Sequence, residues 1–281
     1  FWVEDLFVTN HEPFSSRKKH GGNSSFSGYM SVPYGYWTFS ANISKFSYDT
    51  TIFGDFDDYS SSGDTEVFGF GLERVIHRDA NGKTSLGLNL GRRQADSYIE
   101  GYRMDASSYK LTTLQASISH IRRLLDGYAS LSLSYTRGIP WIGATKDPGG
   151  PSNARTEFNK YSLNLSWYRP FQLGEQSLYY SFSGYGQISP QTLYGAERIQ
   201  IGGKSTVRGF HEDSISGDKG AYLRNELGWN TPWPESLKSG VVLNGVQVYA
   251  AYDYGFIHKD HKDSFERGEM HGAAVGLRTM G

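Results

Sequence analysis

Short and long connections alternate along the whole of this 281-residue chain, and they separate segments in which apolar side chains occupy every second position. Reading from the N-terminus predicts twelve strands: Phe1–Glu12, Ser25–Val32, Trp37–Asp49, Glu66–Arg78, Thr84–Ala95, Lys110–Leu124, Tyr128–Gly138, Phe158–Arg169, Leu178–Ser189, Tyr222–Asn230, Val241–Ile257 and His271–Met280. Tight turns fall at Pro33-Tyr34-Gly35, Ala80-Asn81-Gly82, Asp126-Gly127, Leu173-Gly174-Glu175 and around Pro232–Lys238. Longer polar connections fall between them, at Ser15–Asn23, Ile52–Asp64, Tyr98–Ala106, Ala144–Thr156, Tyr194–Gly220 and His258–Arg267. An up-and-down outer-membrane barrel has this rhythm, with short periplasmic turns and long extracellular loops. A soluble β-sandwich has no reason to.

The chemistry of the two strand faces points the same way. Leu86, Leu88 and Leu90 interleave with Gly87, Asn89 and Gly91; Leu131, Leu133 and Tyr135 with Ser130, Ser132 and Ser134; Tyr161, Leu163, Leu165 and Trp167 with Ser162, Asn164 and Ser166. The polar face of a sandwich usually carries Lys and Glu, whereas rows of Ser, Asn and Gly suit a crowded or solvated lumen. Mean hydropathy is −0.52, and no apolar run approaches the roughly 20 residues of a membrane-spanning helix. The 15% aromatic content suits interfacial girdles. The expected fold is therefore all-β: a transmembrane antiparallel up-and-down β-barrel with about twelve strands present. Residues Phe1 to Asp5 lack the basic and apolar regions of a signal peptide, so the chain reads as starting mid-structure.

The connection at 194–220 is too long for a hairpin turn, and its Val207-Arg208-Gly209-Phe210 gives it apolar surface to bury beside one arginine. A loop folded back into a lumen would carry the Arg208 guanidinium into a confined space, where it needs a carboxylate partner. Asp253 is the first candidate, sharing the inward face of its strand with Gln247, Tyr249, Ala251 and Gly255 while Val246, Val248, Ala250 and Tyr252 take the other. Arg224 and Glu226, alternating on the inward face of the preceding strand, rank second.

Val207-Arg208-Gly209-Phe210, followed by Gly220-Ala221-Tyr222-Leu223-Arg224-Asn225-Glu226, resembles the loop-and-strand signature of the two-partner secretion transporters. These are the TpsB proteins of the POTRA-plus-barrel superfamily, typified by haemolysin-activator and contact-dependent-inhibition exporters. The resemblance implies a 16-stranded barrel with the arginine loop inside the lumen, held by an Arg208–Asp253 pair. In that register this chain lacks about two strands at each end, together with a plug helix and two periplasmic POTRA domains; an intact smaller barrel is the structural alternative. The implied function is export, without nucleotide, of a large β-helical exoprotein (a TpsA-type adhesin, cytolysin or contact-dependent-inhibition toxin) across the Gram-negative outer membrane. The implied partners are that exoprotein and outer-membrane lipid including lipopolysaccharide, for a barrel that works as a monomer. The alternatives are a barrel-assembly factor of the same superfamily, a passive porin or a protease on a barrel rim.

Other constellations point to no enzyme, cofactor or metal. Gly203-Lys204-Ser205 ends like a phosphate-binding loop, but Arg198 stands where the earlier glycine belongs and strands follow. His258 and His261, with Asp260 and Asp263, lack the spacing of a dedicated metal site; Asp55, Asp57 and Asp58 lack the glycine and glutamate of a calcium loop. A net charge of −1 and no cysteine give no sign of a nucleic-acid partner, a disulfide or a thiolate metal site. The pairs Arg92-Arg93 and Arg122-Arg123 either meet lipid phosphates or line the lumen, and the sequence leaves that open.

Overall fold

Alternating apolar and small polar residues can be satisfied in a sheet only when every strand pairs with its neighbour in the same register of faces. The computed structural model, which describes residues 7–11, 22–53, 57–147, 149–150, 152–210, 213–232, 245–259 and 267–280, is built that way. Strands β1 (Phe7–His11), β2 (Asn23–Tyr34), β3 (Trp37–Phe53), β4 (Asp58–Arg78) and β5 (Gly82–Ile99) follow one another as antiparallel neighbours, with the two-residue β6 (Tyr102–Arg103) folded back on β5. Then come β7 (Tyr109–Leu124), β8 (Gly127–Gly138), β9 (Asn159–Leu173) and β10 (Gln176–Ile188). A separate ribbon pairs β11 (Ile199–Gly202) with β12 (Ser214–Gly217), and β13 (Gly220–Pro232), β14 (Gly245–Ile257) and β15 (Gly268–Met280) complete the main sheet.

The twelve expected strands are the twelve strands of the main path, in sequence order. Two connections come out shorter than the sequence implies. Ile52–Asp64, read as a long polar loop, is mostly strand: β3 runs to Phe53, β4 starts at Asp58, and the register continues through Thr51↔Ser60 to Phe53↔Asp58. Polar composition misled there because a strand that continues beyond the apolar band is wetted on both faces. At Tyr98–Ala106, β5 extends to Ile99, and Tyr102–Arg103 pairs back onto Tyr98 and Ile99. Residues 1–6, the connection from Ser15 to Gly21, Asp55, the turn at 233–240, the expected strand start at Val241, and Asp260, His261 and Asp263 lie outside the described residues.

The two faces are distinct. Phe70, Leu88, Leu133 and Val275 project from one face, 66%, 47%, 48% and 81% exposed. So much exposed hydrocarbon in one band is the signature of a surface that meets something apolar. At the short-turn ends of the same face sit Trp37, Trp167 and Trp229, the second donating its indole N–H to the Leu124 carbonyl (3.4 Å) and the third to Gln176 (2.7 Å). Indoles with an apolar body and a satisfied polar edge mark a membrane–water interface. The opposite face carries Ser40, Asn42, Asn89, Gln115 and Thr136 around a polar cleft of about 260 Å³. Leu88→Lys, which puts an ammonium at mid-strand on the apolar face, is expected to cost about 2–4 kcal/mol, whereas Asn89→Lys on the other face costs little. Heat-modifiable gel mobility after refolding into lipid measures both.

Candidate functional site

The segment between β10 and β13 folds onto the polar face. Its first part packs Leu193 and Tyr194 against Tyr109 and Leu111 of β7 and Phe158 at the start of β9. Lys160 on β9 forms an ion pair with Glu197, and Asp218, 3% exposed, accepts the backbone N–H of Leu193 at 2.9 Å. The β11–β12 ribbon then carries Ile199 and Ile201 into a second apolar cluster with Val207, Ile257 and Met270. Ile201 and Val207 are completely buried. Burying a Val or Ile side chain contributes about 1.5–3 kcal/mol, so this cluster presses the loop tip against β14 and β15.

Two glycines make the close approach possible. A Cβ on Gly272 of β15 would lie 2.1 Å from the carbonyl oxygen of Arg208, and one on Gly255 of β14 would touch Val207 at 3.0 Å. Gly209, with φ of +98°, turns the backbone in a conformation that L side chains rarely adopt. The loop thus delivers Arg208 to a single place.

There Arg208 meets Asp253, as the sequence reading expects. Nε and Nη2 donate to the two carboxylate oxygens at 2.7 and 2.8 Å, and the Arg208 backbone N–H adds a third bond at 2.9 Å. Asp253 is fully buried and the Arg208 side chain is 15% exposed. Three charge-assisted bonds from one residue satisfy a carboxylate that has lost all its water. These bonds also raise the Arg208 pKa above its already high ordinary value, so the guanidinium carries its charge at every accessible pH.

The second-rank candidates divide. Glu226 on β13 accepts from Arg208 Nη1 and is a direct partner. Arg224, on the same face, donates from Nη1 to the Ser205 carbonyl at 2.8 Å and stands 3.8 Å from Asp253, so it braces the loop beside the pair. Phe210 packs against the apolar cluster of Val207.

The network extends to residues that the sequence reading did not single out. Glu226 also accepts from Arg278 of β15 at 2.6 and 2.9 Å and from the Tyr179 hydroxyl of β10 at 2.6 Å. The Arg278 guanidinium lies over the Tyr249 ring, 4.0 Å from its centroid. A signal existed: period two puts Arg278 on the face of Gly272 and Gly276, a lone cation in a row of small residues. A Cβ on Gly228 would lie 1.9 Å from the Tyr179 ring, so that glycine makes room for the tyrosine. Among the described residues no group of His, Asp and Glu is arranged to hold a metal.

The family model for haemolysin secretion/activation protein ShlB/FhaC/HecB matches residues 1–279. The chain belongs to this family. Outer membrane transporter CdiB of Dickeya dadantii (strain 3937) is 35% identical over 276 residues, which are 98% of this chain and 48% of that protein. Hemolysin transporter protein ShlB of Serratia marcescens is 31% identical over 227 residues, 81% of this chain and 41% of its own. The solved structure of CdiB from Escherichia coli matches with a TM-score of 0.82 at 34% identity, over 92% of this chain and 49% of that chain. The chain spans about half the length of the relatives it matches. As a ShlB/FhaC/HecB-family protein it is a transmembrane β-barrel chain of the Gram-negative outer membrane, with its apolar face toward lipid and its polar face toward the lumen.

Asp253→Asn, which keeps the shape but removes the fully buried charge and leaves Glu226 as the carboxylate partner of Arg208, is expected to destabilise the docked loop by about 3 kcal/mol. Hydrogen exchange at the amides of Ile201 to Gly209 should rise by orders of magnitude while β3–β5 stay protected; unchanged exchange in the loop would refute the clamp.

Proposed function

We propose that this chain is the barrel of an outer-membrane transporter that exports a large, β-helix-forming exoprotein of the TpsA type, unfolded and without nucleotide. The observation that carries the reading is the Arg208–Asp253–Glu226 clamp: a long loop tied by a buried, bidentate ion pair to the lumen-facing side of β13–β15. A passive pore needs no such internal anchor. In this reading the clamp sets how far the loop intrudes, and the path of the cargo runs along the Ser, Asn and Gly rows of β3–β5. Those rows offer weak hydrogen bonds to an extended chain, with the stacked Phe46 and Tyr48 set toward the long-loop end of β3. The recess of about 260 Å³ bounded by Asn42, Asn89, Thr136 and the Lys160–Glu197 pair lies on that side of the loop. Folding of the cargo outside the cell supplies the free energy.

The relatives are named outer membrane transporter and hemolysin transporter. In the two-partner picture the exoprotein is recognised by periplasmic POTRA domains, a plug helix occupies the lumen at rest, and the long loop at 194–220 enters from the extracellular side. The barrel works as a monomer surrounded by lipopolysaccharide and phospholipid.

The test is secretion of the cognate exoprotein by cells carrying the full-length protein at matched outer-membrane levels. Arg208→Ala is expected to reduce secretion at least about tenfold, the scale of losing one or two charge-assisted hydrogen bonds. Arg208→Lys, which keeps the charge but loses the planar fork, should recover only part. Equal secretion by wild type and Arg208→Ala would overturn the role of the clamp. Cargo retained by both, with other barrels disturbed on depletion, would replace export with barrel assembly.

A further inference from the structure

The four arginines whose placement the sequence leaves open are divided by strand parity. Arg93 and Arg123 face the lumen, while Arg92 and Arg122 face lipid near opposite borders of the sheet. Arg122 shares its face with Ile118, His120 and Leu124 at the short-turn end of β7. Across β8, the register Arg122↔Ala129↔Trp167 brings it level with the interfacial tryptophan of β9, and Arg169 follows on the same face. The Arg169 stem lies over bare Gly127, where a Cβ would come within 3.1 Å of the Arg169 Cβ.

Neither Arg122 nor Arg169 has a carboxylate partner among the described residues, and the Nε of Arg169 is buried without a hydrogen bond. His120 is oriented by a 2.9 Å bond between its Nδ1 and the Thr84 hydroxyl, which leaves its other nitrogen for a further partner. A groove of about 410 Å³ opens beside His120 and Arg122 and runs between Leu131, Leu165, Trp167 and Phe182. Two cations on a lipid-facing surface without counter-charge need an anion at the membrane border, and a groove walled by hydrocarbon and an indole needs an acyl chain.

We propose that this surface is a binding site for an anionic phospholipid of the periplasmic leaflet. The phosphate sits between the Arg122 and Arg169 guanidinium groups beside the Trp167 indole, and one acyl chain follows the groove over Ala129 toward Phe182. The short-turn position excludes lipopolysaccharide as the occupant, since that lipid fills the opposite leaflet. The site depends on the barrel's orientation in the membrane and not on what the barrel exports.

Native mass spectrometry of the full-length protein, titrated with phosphatidylglycerol or with phosphatidylcholine of the same acyl chains, tests the site. Wild type should prefer phosphatidylglycerol by about 30-fold, the combined effect of two arginines at a membrane surface. Arg122→Gln with Arg169→Gln should abolish the preference, and each single change should lower it about fivefold. The single variants serve if the double variant loses heat-modifiable mobility. Ala129→Leu, which fills the groove and leaves both charges, should weaken retention of both lipids equally. A preference unchanged in the arginine variants, or tighter retention of purified lipopolysaccharide than of phosphatidylglycerol, would overturn the proposal.

Discussion

A buried carboxylate with no water must be answered by something inside the protein, and Asp253 is answered almost entirely by one residue of a distant loop. An unpaired buried charge costs several kcal/mol, so the loop that supplies Arg208 is bound to a single place. The rest of the lumen-facing architecture accommodates that pair. Gly255 and Gly272 remove side chains where the loop must pass, Ile201 and Val207 seal the pair from water, and Glu226 takes the remaining guanidinium edge. Arg278 and Tyr179 then prevent Glu226 from being left with unsatisfied lone pairs. The network links β10, β13, β14 and β15 through side chains as well as through backbone bonds.

The two faces of the sheet answer different solvents. On the lipid side, large side chains stand exposed, and the polar edges of Trp167 and Trp229 are satisfied by groups at the short turns. On the lumen side, rows of small polar residues run along β3–β5, broken by the stacked Phe46 and Tyr48, and buried apolar side chains gather where the loop docks. Apolar packing of the loop therefore falls on β7, the start of β9 and β13–β15, and β3–β5 keep an open polar surface. Such a division suits a channel in which one wall holds the loop and the other stays smooth.

Period-two alternation and turn chemistry were enough to place twelve strands in order, because face identity reverses with every one-residue slip and leaves little freedom of register. The same parity brought out Asp253 as the inward carboxylate and Glu226 as a second. It failed at Ile52–Asp64, where the strands outrun the apolar band and composition no longer reports pairing. It also passed over Arg278 and Tyr179, since neither belongs to a motif and each acquires its role only from Glu226, which stands opposite neither of them in the register.

Sequence by itself determined the sheet, its two faces, and the need of Arg208 for a carboxylate, since these follow from local periodicity and from the cost of an unpaired charge. Only the tertiary structure decided how the loop is held: which strands it touches, that the Arg208 backbone N–H joins its side chain on Asp253, and that Arg122 and Arg169 stand together across a strand. Those are relations between positions 45 and 47 residues apart along the chain. No local pattern encodes a distance that only the curvature and register of the whole sheet bring to hydrogen-bonding length.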